Sequence, residues 1–184
     1  MADKVPLQIQ IDAEAEIRIK RVQTHLPSGN DLTLVALKGH LLAEEALDDL
    51  IRFYCTQPEH LDDVEIRFLV KARIARALSG HIVWTGLWPL IDALNAVRNV
   101  LAHKLEGAKL RDRVVRFLNV RKELAPLLYD PEIDPSNWEA VAERFRSDIS
   151  LLLGQLTGAG MMVRTLETQA QPGAAGDAPQ AVRP

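Results

Sequence analysis

The pattern that most restricts the fold of this chain is LTLVALKGHLLAEEALDDLIRFY, residues 32–54. It runs about six helical turns with no proline. Leu37, Leu41, Leu47, Ile51 and Tyr54 are expected to share one broad apolar face. The turn PSGND before it offers Asn30 or Asp31 as an N-cap, and Pro58 sits at the break after it. Composition agrees with a helical reading. Aromatic residues make up only 5% of the 184 residues, while Leu and Ala are plentiful, a mix that favours helices over a β-sandwich.

Further helical patterns follow the same logic. Residues 12–26 read as a helix ended by Pro27 and Gly29. Asp62 or Asp63 is expected to cap VEIRFLVKARIARAL, where Ile66, Leu69, Val70, Ile74 and Leu78 recur at spacings of three and four. Lys71, Arg73 and Arg76 fall toward its C-terminal end, where cations suit the helix dipole. LWPLIDALNAVRNVLAHKL tolerates Pro89 in its first turn, and Gly107 ends it or begins the next loop. KLRDRVVRFLNVRKELAPLL is an Arg-rich amphipathic helix closed near Pro126. Ser136 or Asn137 caps WEAVAERFRSDISLLLGQL. LQIQID near the start is the one short strand candidate. The expected fold is all-α, an antiparallel bundle of about five or six helices. Residues 1–29 form an N-terminal helical segment, 30–166 the bundle, and 167–184 a Pro-, Gly- and Ala-rich disordered tail.

Several function classes are disfavoured. With 47% hydrophobic and 26% charged residues, the chain fits one soluble domain. The net charge of −3 argues against a broadly basic nucleic-acid surface, though not against a local basic cleft. There is no apolar run of the roughly 18 residues that a membrane span needs. Asp3, Lys4 and Gln8 interrupt any signal-peptide core, so a cytoplasmic location without membrane is expected. The lone Cys55, expected as a packed thiol, excludes a disulfide framework or Cys-rich zinc site. His25, His60 and His81 show no metal-ligand spacing, and no metal or cofactor is expected. Trp84, Trp88 and Trp138 read as core or interface anchors.

The chemistry concentrates in LNAVRNVLAHKLEG, residues 94–107. On a helix, Leu87, Leu90, Ile91, Leu94, Val97 and Leu101 make one apolar stripe, and Asp92, Asn95, Asn99 and His103 a polar one. Arg98 lies at the border of the apolar stripe. Between residues 87 and 103 the charged side chains are Asp92 and Arg98 alone. A solvated face normally carries Lys and Glu, so this stripe is expected to be covered by another helix or a second subunit. Arg98 and His103 are about 140° apart and roughly 7.5 Å along the axis, and a curled Arg reaches the same pocket. The trio suits phosphate chemistry. Arg fits phosphate bidentately, His takes a proton near neutral pH, and Asn orients the imidazole or donates to an oxygen. RNA cleavage by its own 2′-hydroxyl needs a base, an acid and a stabiliser of phosphorane charge, and no metal. One such His per chain is thin; a symmetric dimer supplies two.

Arg98-Asn99-Val100-Leu101-Ala102-His103 resembles the R-N-x-x-x-H form of the R-x(4–6)-H motif of HEPN domains (higher eukaryotes and prokaryotes nucleotide-binding). The likeness extends over roughly residues 30–155. It implies a helical bundle, usually dimeric, with Arg98 and His103 lining a cleft at the dimer interface. It also implies a metal-independent endoribonuclease of the kind found in bacterial toxin–antitoxin, defence and RNA-processing systems. RNA and an antitoxin or regulatory protein are the partners it points to. Some members keep the fold without cleaving RNA, so a non-catalytic module that binds protein or nucleotide stays open. A DNA-binding repressor is disfavoured by the acidic charge and the lack of a helix-turn-helix.

Under the catalytic reading Arg98 holds phosphate, His103 acts as base or acid, and Asn99 orients His103, with Asn95 and Glu44 in support. Under the structural one, Arg98 is an ion-pair partner and His103 caps a helix end. His40 and Glu44 lie four apart inside the expected apolar face. Either Glu44 pairs with Arg98 and orients it, or the helix is rolled and Glu44 meets solvent beside Glu45. Arg111, Arg113, Arg116 and Arg121 form a basic run, read as a solvated face or as a guide for an RNA backbone.

Overall fold

A computed structural model of the protein describes residues 13–29, 31–80, 84–103, 107–124 and 133–170. These form six α-helices and no strand among the described residues: α1 (Ala13–His25), α2 (Leu32–Tyr54), α3 (Phe68–Ser79), α4 (Leu87–His103), α5 (Gly107–Leu124) and α6 (Trp138–Ala170). The architecture is an all-α helical bundle, the expected class. No helix among the described residues is long and apolar enough to cross a membrane. LQIQID, His81 and the tail from 171 onward lie outside the described residues. α6 continues to Ala170, so the tail boundary expected at 167 falls inside a helix.

Local chemistry sets most helix ends. The Asp31 carboxylate caps α2 by accepting from the N–H groups of Thr33 and Leu34 at 2.9 and 3.0 Å. Asn137 Oδ1 accepts from the Ala140 N–H at the start of α6. α3 ends at Gly80, whose φ of 53° favours glycine. Two expected boundaries are corrected. α3 begins at Phe68 rather than just after Asp62 or Asp63, because Asp62 is drawn to Arg52 at 2.7 Å and Pro58–Leu61 forms a 3-10 turn. Lys71 therefore lies near the start of α3, not near its C-terminal end. Gly107 neither ends α4 nor begins a loop; it is the first residue of α5.

The core is built on α4 and α6. Leu87, Leu90, Ile91, Leu94 and Val97 are buried, as their stripe requires, with Ile149, Leu152, Leu153 and Leu156 of α6 in the same cluster. Phe117 of α5 and Phe145 of α6 meet edge to face, ring centres 5.1 Å apart.

α2 and α3 are rolled away from the expected faces. In α2 the buried arc runs through Val35, Ala36, Gly39, His40, Leu42, Ala43, Leu47, Leu50 and Ile51, so Leu47 and Ile51 of the expected face are buried, while its Leu37 and Leu41 are 43% and 55% exposed. The reason is closeness. α2 packs most extensively on α6, and a Cβ at Gly39 would lie 2.7 Å from Cγ2 of Ile149. Small residues thus mark the line of contact, and Leu34, Leu37 and Leu41 turn outward. α3 repeats the pattern: Phe68, Ala72, Ala75 and Ser79 are buried, and Leu69, Val70 and Leu78 are exposed. The buried Ser79 hydroxyl donates back to the Ala75 carbonyl at 2.7 Å.

Charge also enters the interior. Arg121 and Asp148 are both buried, 4.0 Å apart, with Arg144 Nε 3.4 Å from the same carboxylate. Burial pushes the Asp148 carboxyl up, against the pull of Arg144 and Arg121. Arg121 thus leaves the expected solvated run: it faces α6, and Arg111 lies over the Trp138 ring at 4.4 Å. Arg113 and Arg116 are exposed. α1 packs on α6 and is tied to α2 by Arg18–Asp49 and Arg21–Glu45. Cys55 is half-buried against the core at the end of α2, and Trp88 is a core residue.

Replacing Gly39 by Ala tests the α2–α6 contact. Helix propensity alone would stabilise the protein, but overpacking against the stiff β-branched Ile149 should destabilise it by about 1–3 kcal/mol. The penalty should shrink in an Ile149→Ala background. Urea denaturation of the four proteins measures the coupling, and a Gly39→Ala protein more stable than wild type would rule the close contact out.

Candidate functional site

α4 holds the motif on one continuous helix, so Arg98 and Asn99 project one turn beyond Asn95. Val97 and Leu94 fix the roll of that helix by their burial, which leaves Arg98 and Asn99 on the exposed side. The His103 backbone closes α4, and its side chain lies outside the described residues.

Three helices enclose a cleft of about 700 Å³ beside the motif. α2 contributes His40 and Glu44, the start of α3 contributes Arg67–Val70 and Arg73, and α4 contributes Asn95, Arg98 and Asn99. Four residues singled out in the sequence therefore share one wall system: Arg98, Asn99, Asn95 and Glu44. The roll of α2 brings Glu44 there. At 100° per residue His40 lies within the buried arc, between Leu47 and Ile51, and Glu44 lies at its border with the exposed arc of Leu34, Leu37 and Leu41.

The polar groups of this cleft are wired differently from the sequence expectation. Glu44 pairs with Lys71 at 3.1 Å rather than with Arg98. Lys71 also binds Asp48 at 2.7 Å. Burial opposes the Lys71 charge, but the hydrogen bonds to Asp48 and Glu44 and their charges outweigh it and raise its pKa. The roll that the second alternative expects is present and leaves Glu44 30% exposed, but its partner is Lys71, which sits near the start of α3 rather than at its end. Among the described residues Arg67, Arg73 and Arg98 form no ion pair with a carboxylate. Like the polar stripe as a whole, Asn95 and Asn99 divide: Asn95 is buried against α2, Asn99 and Asp92 are exposed.

His40 is the group that sequence reading left out of the site. Its Nε2 lies 3.3 Å from Asn95 Oδ1, and its ring stacks on Phe68 with centres 3.9 Å apart. An amide oxygen only accepts, so the neutral ring donates through Nε2. Burial lowers its pKa; the Asn95 bond and Glu44 oppose the shift, and the Arg98 charge adds to it. The His40–Glu44 spacing was the available signal. Arg67 and Arg73 gave none, since arginines on an amphipathic helix look alike until its start is known. His25 and His60 are exposed and take no part in this cleft.

No family model, no curated protein and no solved structure matches the chain.

The lowered pKa of His40 has a sign that can be measured. Above the ordinary value of 6.5 the ring is neutral both folded and unfolded. As pH falls below 6.5, the unfolded chain takes up a proton that the folded ring resists, so stability is lost. The loss levels off once the folded ring is also protonated. Asp148, pushed upward, acts in the opposite sense at lower pH and is common to any His40 variant. Urea midpoints at pH 7.5 and 5.5 should fall more for wild type than for His40→Gln. Equal changes in the two proteins would show that His40 titrates normally.

Proposed function

We propose that the protein is a HEPN-type, metal-independent endoribonuclease that cleaves RNA at the cleft beside α4. The observation that carries this reading is the placement of Arg98 and Asn99, with Arg67 and Arg73, on one open cleft where no carboxylate among the described residues pairs with the arginines. Unpaired guanidinium groups facing a concavity suit a phosphodiester, whose charge grows at the phosphorane. In this reading Arg98 stabilises that charge, and Asn99 orients His103. The 2′-hydroxyl gives its proton to a base and bonds to phosphorus. The bond to the 5′-oxygen breaks, and that oxygen takes a proton from an acid. The products are a 2′,3′-cyclic phosphate and a 5′-hydroxyl.

His103 serves as base or acid. His40 does not complete the pair on the same phosphate, because Asn95, which it contacts, lies about 12 Å of helix rise from His103. A second copy of the chain, supplying a second His103, meets the need. The exposed arc of Leu34, Leu37 and Leu41, close to the cleft on α2, supports a homodimer that covers this side. One observation favours the non-catalytic alternative. The described side chains of the cleft are binding groups, and its one described histidine is neutral and hydrogen-bonded, which suits nucleotide binding without cleavage.

Incubation with fluorescent single-stranded RNA in EDTA separates the readings. Wild type should cleave RNA but not the matching DNA. Arg98→Ala and His103→Ala, checked for equal stability, should lose about 10²–10⁴-fold in rate. Undiminished cleavage by His103→Ala would remove His103 from the mechanism. Binding without cleavage would favour the nucleotide-binding module.

A further inference from the structure

We infer that Arg67 and Arg73 form a second phosphate subsite, so that the cleft takes a single strand with at least two successive phosphates. The inference rests on the reading of this cleft as a nucleic-acid site and adds residues that the motif does not contain.

The cleft has two cationic walls. Arg98 stands with Asn99 on α4, and Arg67 and Arg73 stand on α3. Some arginines elsewhere are neutralised, as in Arg18–Asp49, Arg21–Glu45 and Arg52–Asp62. Others without a carboxylate partner among the described residues, such as Arg76, Arg113 and Arg116, stand exposed outside the cleft lining. What sets Arg67, Arg73 and Arg98 apart is that they share one concavity. Here the one carboxylate that lines the cleft, Glu44, is already held by Lys71. Lys71 therefore takes the countercharge and leaves three guanidinium groups around one concavity. Such a group repels itself until an anion enters. A single phosphate on the α4 wall leaves the α3 wall uncompensated, whereas a polyanion satisfies both.

The backbone adds to the arginines. Arg67 is the N-cap of α3 and its side chain makes no capping bond. The N–H groups of Val70 and Lys71 bond to the Arg67 carbonyl, and the helix begins at the cleft with its positive end toward it. Leu69 and Val70 are exposed on the same wall and offer apolar surface to a ribose or base. The volume of about 700 Å³ falls within the range of sites that enclose whole organic ligands rather than lone ions.

The test uses the full chain and a fluorescein-labelled 2′-O-methyl RNA hexamer, which lacks the attacking hydroxyl and cannot be cleaved by this route. Binding is read by anisotropy in EDTA at several salt concentrations, with unlabelled 2′-O-methyl dinucleotide and tetranucleotide as competitors. Wild type should prefer the tetranucleotide clearly over the dinucleotide, which has one phosphate. The double variant Arg67→Gln/Arg73→Gln should bind the hexamer about tenfold or more weakly. Its dependence of log K on log salt should flatten by about 0.7 for each phosphate that the protein no longer neutralises. Arg76→Gln, an exposed α3 arginine outside the cleft lining, should stay within about twofold of wild type, the effect of one distant surface charge.

Wild-type affinity and salt slope in the double variant would overturn the inference, as would an equal loss in Arg76→Gln or a wild type that does not bind the hexamer. The ribonuclease reading fails separately. If RNA is not cleaved yet hexamer binding depends on Arg67 and Arg73, the cleft is a binding site and the subsite stands. If RNA is cleaved with the same KM by wild type and double variant, the enzyme stands and the subsite falls.

Discussion

The approach of α2 to α6 governs where the other parts can go. With Gly39 under Ile149, and Ala36 and Ala43 along the same line, α2 presents its narrowest side to the core. Close backbone approach brings more atoms into dispersion contact on that line than a row of leucines would. The same choice fixes the roll of the helix. Glu44 then falls at the edge of the core, and His40, buried between Leu47 and Ile51, still reaches the same cleft wall. The leucines left over, Leu34, Leu37 and Leu41, form an apolar strip outside the core of the single chain.

Electrostatics in the cleft follow from one lysine. Lys71 reaches α2 from the second turn of α3 and collects both Glu44 and Asp48. Two carboxylates are thus withdrawn from competition for the nearby arginines. Side-chain exposure of Lys71 is only 11%, so its pairs are less screened than surface ones. The connection fixes α2 to α3 and decides, through the same pairing, which cations stay available to a ligand.

α4 could be read almost completely from its residues because its core side chains are large and its charges few. Leu87 through Val97 leave one roll that buries them, and the polar stripe follows. α2 and α3 could not be read that way. Periodicity weighs leucine and valine heavily and alanine and glycine hardly at all, yet Ala36, Gly39 and Ala43, and in α3 Ala72 and Ala75, form the contact. The late start of α3 was hidden too, because Asp62 looks like a cap in sequence and in space belongs to Arg52. Half of the cleft was consequently legible. The α4 wall carries a motif, while the α3 wall depends on a helix start and a tertiary ion pair that leave no local pattern. The Glu44–Arg98 pairing expected from the residues gives way to Glu44–Lys71 for the same reason.

The interior charges between α5 and α6 impose a different kind of order. Apolar side chains on two helices tolerate sliding by a turn, since leucine meets leucine again at modest cost. Asp148 admits no such freedom. A slip of one turn would carry Arg121 on α5 away from the Asp148 carboxylate on α6 and leave the buried guanidinium without its counter-ion, at a cost of several kcal/mol, while Arg144, one turn before Asp148 on the same helix, would stay beside it. The long contacts of 4.0 and 3.4 Å contribute little net stability compared with a well-packed apolar trio. The effect of the Arg121–Asp148 contact is on alignment: the penalty falls on every misregistered docking of α5 on α6, so the two helices close in one axial position.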